Sequence, residues 1–243
     1  MENDKLYLRH MELLRNKVPS FRSYPFQLPV IRSLKRLVFR NPVTFLVGEN
    51  GSGKSTLLEG IAAAWGFNPE GGTLNFSFET RPSHSVLYEY LRIARGVKRP
   101  KDGFFLRAES FYNVASYIDE LGIQHSYGGK SLHEQSHGES FFAAFMYRFS
   151  GRGLYILDEP EAALSPLRQM SLLARMHQLV RSDSQFVIAT HSPILMSYPG
   201  ADIWLLEGEG IREVSLEETE HYAVTKAFMN DREGMLRELL EEE

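Results

Sequence analysis

The sequence predicts an α/β fold in which a mostly parallel sheet is flanked by helices, and three apolar runs carry that prediction. Val43-Thr44-Phe45-Leu46-Val47, Leu154-Tyr155-Ile156-Leu157 and Gln185-Phe186-Val187-Ile188-Ala189-Thr190 are short, uncharged and rich in β-branched or aromatic residues, as strands buried on both faces must be. Each run ends in residues that carry chemistry: the first in Gly48 to Thr56, the second in Asp158-Glu159-Pro160, the third in His191. Ligands of parallel sheets collect beyond the carboxyl ends of the strands, so the three ends are expected on one rim.

The first of these ends is the most specific. Gly48-Glu49-Asn50-Gly51-Ser52-Gly53-Lys54-Ser55-Thr56 fits the phosphate-loop pattern G-x-x-x-x-G-K-[ST] without a mismatch. Glycines let the backbone wrap closely enough to aim several N–H groups at one phosphate chain. Lys54 is expected to bring a positive charge to the outer phosphates and Ser55 to hold a magnesium ion, with Thr56 extending the donor set. Leu57, Leu58, Ile61, Ala62 and Trp65 then recur at helical spacing up to Gly66, a helix terminator. The order strand, loop, helix aims the positive end of a helix dipole at the phosphates.

Asp158 is expected to order the magnesium shell and Glu159 to polarise an attacking water. Side chains alternate along a strand, so both carboxylates face one metal only if the chain turns at this point, and Pro160 fits such a turn. His191, at the end of the third strand, is expected to reach the terminal phosphate.

Composition bounds the rest. The chain has 243 residues, 43% of them hydrophobic and 24% charged, which suits one large α/β domain. Zero cysteines exclude a disulfide framework, thiolate metal sites and a cysteine nucleophile. No apolar run is long enough for a membrane helix and the first residues lack a signal-peptide layout, so a cytoplasmic protein without direct membrane insertion is expected. The net charge of −4 is unevenly spread. Lys5, Arg9, Arg15, Lys17, Arg22, Arg32, Lys35, Arg36 and Arg40 crowd the beginning, while Glu207, Glu209, Glu213, Glu217, Glu218, Glu220 and Glu241 to Glu243 dominate the end. The basic stretch reads either as a solvated face or as an attraction for nucleic acid.

Together these residues resemble the ABC-type ATPase family, from the first strands to about residue 206. A fourth element adds to the likeness: Gln135-Ser136-His137-Gly138-Glu139-Ser140 lies between the phosphate loop and the carboxylate strand and is similar to the family's L-S-G-G-Q signature. Gln135 replaces the leucine, His137 the first glycine and Glu139 the final Gln. A final Glu is typical of the branch that includes the RecF-like and chromosome-structure proteins. The resemblance implies that Ser136, His137, Gly138 and Glu139 contact the ATP bound by a second copy, so that two ATP molecules with Mg2+ are sandwiched in a homodimer. Glu139, Phe142, Ala143, Met146 and Phe149 continue that element at amphipathic helical spacing. The resemblance also places Ala162 to Ser165 in the D-loop position, where Ser165 before Pro166 reads equally as a helix N-cap. Glu109 stands where the family has a Gln near magnesium, and Tyr24 and Phe26 are candidates to stack on adenine.

The stretch from Gly53 to Ser136 admits a small accessory lobe and no coiled-coil arm. It is expected to hold a strand near Thr73 to Phe78, an ambiguous segment at Val86 to Ala94, a loop around Gly96 to Gly103 and a helix near Ser110 to Leu121. The expected organisation is a single domain over 1–243, its nucleotide lobe at about 1–83 and 151–243 and its helical lobe at about 84–150, with an antiparallel β portion near the amino terminus. A strand at Ala201 to Glu207 and one or two acidic helices within Leu216 to Leu240 complete it. The phrase from Asp158 to Ser165 looks like stand-alone ATPases of genome defence and repair, so an effector protein or nucleic acid is the expected partner. The energy subunit of a membrane transporter and a small-molecule kinase are the alternatives.

Overall fold

Alternate residues of the central strands feed two separate cores. In the computed structural model, which describes residues 5–74, 85–107, 111–122, 125, 133, 137–162, 164–208 and 210–240, ten strands form two sheets. β1 (Leu8–Leu13), β2 (Arg36–Val38) and β5 (Leu91–Arg95) make a three-stranded antiparallel sheet in the order β2-β1-β5. The larger sheet runs β10-β9-β3-β8-β7-β6-β4. Its members are β3 (Val43–Val47), β4 (Gly72–Thr73), β6 (Asp102–Arg107), β7 (Gly153–Asp158), β8 (Gln185–Ala189), β9 (Asp202–Glu207) and β10 (Gly210–Glu213). The five inner strands are parallel, and β4 and β10 close the edges antiparallel.

Val43, Phe45 and Val47 of β3, Phe104 and Leu106 of β6, Tyr155 and Leu157 of β7, and Phe186 and Ile188 of β8 point into one core. Helices α3 (Phe111–Glu120), α4 (His137–Ala143) and α5 (Pro166–Arg181) cover that face. The intervening residues Leu46, Phe105, Leu154, Ile156, Val187 and Ala189 point into the other core. There α1 (Pro29–Ser33), α2 (Lys54–Trp65) and the small sheet pack. Two-sided burial is why these runs are apolar throughout rather than alternating. Gln185 is a polar exception, 1% exposed. Its Oε1 accepts from the backbone N–H groups of Tyr7 and Leu8 at 2.9 Å, and its Nε2 donates to Leu8 O at 2.8 Å. One amide thus clips the small sheet onto the large one.

Several expectations shift in detail. Val86–Tyr90 is a 3-10 helix and Leu91–Arg95 is β5, while β6 lies inside the large sheet. Strands therefore come from the 84–150 stretch, and its helical part begins at α3. Thr73 ends the two-residue β4, and residues 75–84 lie outside those described. The stripe expected after Glu139 is broader than its spacing indicates: Ala143 and Phe149 are buried as expected, and further residues join them. Phe141, Ala144 and Phe145 are buried, whereas Phe142 and Met146 are only partly so. α4 runs into a π-helical segment, Ala144–Arg148, whose wider turn breaks the 3.6-residue spacing. α6 (Pro193–Met196), α7 (Glu220–Asn230) and α8 (Arg232–Leu240) complete the chain. Among the described residues no helix is long and apolar enough to cross a membrane.

The π-helical segment is moored to the sheet through Asp102. Its carboxylate accepts from Arg148 Nη1 at 2.8 Å, from Tyr155 Oη at 2.8 Å and from Ser150 Oγ at 2.9 Å. The Phe149 ring stacks on Tyr155 at 4.2 Å and 7°. Desolvation pushes the Asp102 pKa up, but Arg148 and the Tyr155 and Ser150 donors outweigh it and hold the carboxyl below its usual value. Replacing Asp102 by Ala removes the carboxylate that Arg148, Tyr155 and Ser150 share, and is expected to lower stability by about 3 kcal/mol, measured as a lower urea midpoint. A depressed folded pKa gives stability that is present above the unfolded Asp value of about 3.9 and lost as pH falls through the folded value. Asp102→Ala should accordingly lose less stability than the wild type between about pH 5 and about pH 2.

Candidate functional site

The loop between β3 and α2 requires glycine for two different reasons. Gly48 has φ +149° and Gly53 has φ +98°, values that side chains rarely adopt. A Cβ on Gly48 would also lie 2.2 Å from Leu206 O, and one on Gly53 would lie 2.7 Å from Val30 Cγ1. Gly53 opens α2, so the unpaired N–H groups of its first turn face the loop. Lys54 is 4% exposed, and its Nζ donates to Gly48 O at 2.8 Å and Glu49 O at 2.9 Å. Burial draws its pKa below the usual lysine value, while Glu159 and Asp158 oppose that shift.

Register brings the other strand ends to this loop. β3 and β7 both pair parallel with β8, with Leu46 and Asp158 each opposite Ala189. Asp158 is 6% exposed, and Ser55 Oγ donates to its Oδ1 at 3.1 Å. Glu159 N donates to Ala189 O at 2.9 Å, after which the chain leaves the strand with Glu159 at φ +48°. That left-handed residue is the turn that lets both carboxylates face one side.

His191 follows β8, its Nε2 at 3.6 Å from Glu159 Oε1. Burial first, then Lys54 and His221, lower its pKa, so the ring is neutral at neutral pH. Among the described residues, the buried His191 Nε2 and Ser52 Oγ have no hydrogen-bond partner. Tyr24, 58% exposed, shares a 3.3 Å hydrogen bond with Thr56 Oγ1 and lines a cleft of about 300 Å3 with Asn50, Gly51, Lys54, Ser55 and Glu159. Phe26 is 2% exposed and packs edge-on against Tyr90, so of the two aromatic candidates only Tyr24 borders this cleft.

Gly138 and Glu139 begin α4, and Glu139 Oε1 lies 3.8 Å from Arg168 Nη2 on α5. Ser165 caps α5 by accepting from Arg168 N at 3.4 Å. Ser136, Gln135 and Glu109 lie outside the described residues, as does the His137 side chain.

Three residues of the site carried no role in the sequence reading. Glu161 Oε1 accepts from His191 N at 2.6 Å, and desolvation raises its pKa despite that bond. Its place two residues beyond Glu159 was a usable signal. Arg107 Nη1 bonds Glu59 Oε2 at 2.9 Å and its Nε lies 3.9 Å from Asp158 Oδ2. His221 Nε2 lies 2.8 Å from His191 Nδ1, across thirty residues of chain that give no local pattern.

The Ser55 hydroxyl beside the Asp158 carboxylate is the donor chemistry a hard divalent cation takes. No group of three or more His, Cys, Asp or Glu fit for a metal occurs among the described residues. Magnesium, which takes one or two protein oxygens beside phosphate oxygens and water, fits this pair.

Comparison with known proteins agrees with this geometry. Residues 18–96 match a family described as "AAA domain", and residues 127–197 match one described as "AAA domain, putative AbiEii toxin, Type IV TA system". The formylaminopyrimidine import ATP-binding protein ThiZ of Halalkalibacterium halodurans is 31% identical over 66% of this chain and 66% of its own length. EcsA, an ABC-type transporter ATP-binding protein of Bacillus subtilis, is 26% identical over 67% of this chain and 71% of its own. The ABC transporter G family member STR2 of Medicago truncatula is 25% identical over 62% of this chain and 24% of its own. The chain thus spans less than two thirds of ThiZ and about a quarter of STR2. It belongs to the ABC-type ATPase family.

Within this ABC-type ATPase the Gly48 hydrogen faces a backbone carbonyl that has no freedom to retreat. Gly48→Ala is expected to lower the Tm by roughly 10 °C and to abolish the Tm increase expected of the wild type in ATP, both read by thermal denaturation with and without nucleotide.

Proposed function

We propose that this chain binds ATP with Mg2+ and hydrolyses it in a homodimer that sandwiches two nucleotides, as the energy or switch subunit of a nucleic-acid-directed or defence effector. The carrying observation is the convergence of Lys54, the Ser55–Asp158 pair, Glu159 and His191 on one sheet edge. Residues Gly48 to Thr56 enclose the phosphates, Ser55 and Asp158 hold magnesium, and Tyr24 borders the adenine. Bound magnesium neutralises charge on the phosphate oxygens. Glu159 orients the attacking water and His191 donates to the terminal phosphate, with Lys54 offsetting the charge that develops. Ser136, His137, Gly138 and Glu139 reach the nucleotide of the second copy, and Glu109 is assigned to magnesium from its place in the sequence.

The defence reading is supported by the toxin–antitoxin wording of the family matched over residues 127–197. A second reading, the ATPase subunit of a membrane transporter, is supported by the names of the ThiZ and EcsA relatives. The kinase alternative has no such support.

Removing the Glu159 charge retains the fold and the phosphate contacts but not the water alignment. Glu159→Gln is expected to slow hydrolysis by at least ~100-fold and to hold an ATP-dependent dimer in light scattering, while the wild-type dimer decays as ATP is consumed. A Glu159→Gln chain that stays monomeric in saturating ATP overturns the sandwich. Stimulation of wild-type hydrolysis by DNA or RNA, falling steeply with salt, supports the effector reading. Co-purification with a membrane protein supports the transporter reading instead.

A further inference from the structure

His191 is held from three sides, and only two of the contacts belong to the strand ends described above. Its backbone N–H donates to Glu161 Oε1 at 2.6 Å, and its Nε2 faces Glu159 Oε1 at 3.6 Å. The third contact comes from α7, where His221 Nε2 meets His191 Nδ1 at 2.8 Å with the rings 4.9 Å apart and inclined at 59°. α7 also packs on α6, the short helix that follows His191.

Two imidazoles meeting nitrogen to nitrogen need one N–H and one lone pair between them. Two assignments exist, and the far nitrogen of His191 decides between them. A carboxylate offers only lone pairs, so His191 Nε2 is attracted to Glu159 when it carries a proton and repelled when it does not. Burial and the nearby Lys54 keep the ring neutral, so only one of its nitrogens is protonated. The proton therefore sits on Nε2, Nδ1 accepts, and the shared proton belongs to His221 Nε2. In a neutral imidazole the bond made by one nitrogen sets the state of the other. The buried Nε2–H, which has no hydrogen-bond partner among the described residues, then faces the site as a ready donor.

We propose that His221 is the positioning residue of His191. It donates to Nδ1, thereby fixes both the ring orientation and the Nε2–H tautomer that faces the terminal phosphate, and makes the docking of α7 a condition of fast hydrolysis. This rests on the ATPase reading, and the test separates the two.

Nitrogen-15 NMR of the nucleotide-free wild type reads the tautomer without any catalysis. A protonated Nε2 and an unprotonated Nδ1 on His191 are expected, and a protonated Nδ1 overturns the proposal. In steady-state hydrolysis, His221→Leu removes the donor and should lower kcat by about tenfold or more while KM for ATP changes by less than about threefold. His221→Gln places an amide N–H near the position of Nε2 and should return kcat to within about threefold of the wild type. An unchanged kcat in His221→Leu, or equal losses in the Leu and Gln variants at equal thermal stability, overturns it. A wild type that hydrolyses no ATP instead overturns the ATPase reading, and the NMR result then judges the histidine pair alone.

Discussion

The parallel pairing of β3, β8 and β7 is the constraint on which the site depends. Leu46 and Asp158 both lie opposite Ala189, so the phosphate loop, the two carboxylates and His191 leave the sheet at the same level. Such a level edge needs strands that cannot slip, and a one-residue slip would send every side chain to the opposite face. Here both faces are buried. The sheet presents Phe45, Tyr155 and Phe186 to one core and Leu46, Ile156 and Val187 to the other. Register is therefore specified twice, once by each core, and the Gln185 amide adds a polar fastening between the sheets.

Electrostatics at that edge follow from burial. Lys54 and His191 are both shifted toward their neutral forms and Glu161 toward its protonated form, with desolvation the largest cause each time. Charged groups placed so close in a low-dielectric rim interact strongly, and their contacts are correspondingly specific. Ser55 holds Asp158, Glu161 holds the His191 backbone, and Arg107 approaches Asp158 from β6. Glu159 differs from them: it sits in left-handed backbone, a conformation unfavourable by roughly 1–2 kcal/mol for a residue with a side chain. That turn brings its carboxylate beside His191.

Elements far apart in the chain also meet away from this edge. Arg40 of the basic beginning pairs with Glu213 of the acidic end at 2.5 Å, and Arg15 Nη1 donates to the carbonyls of Arg32 and Leu34. These contacts place part of the basic stretch within the fold's own bonding rather than on a free cationic face. Helix α7, by contrast, lies against the site through His221, so part of the acidic end of the chain joins the nucleotide edge.

The sequence by itself determined the parts whose physics is local. Glycine spacing before Lys54 sets a phosphate loop, uniform apolarity sets doubly buried strands, and Gly66 at φ +116° closes α2 as its position indicates. Asp158 and Glu159, lying at the end of such a strand, were legible for the same reason. Tertiary structure alone decided what depends on distant partners. Phe141 and Phe145 are buried beside the Ala143 and Phe149 of the expected stripe, because the face that α4 and the π-helical turn present is set by the core they meet. β5 joins β1, and His221 meets His191, because chain folding rather than sequence spacing creates those neighbours. Periodicity records how a segment alternates between water and core; it carries no record of which other segment supplies the core, or of which side chain arrives to bond a buried nitrogen.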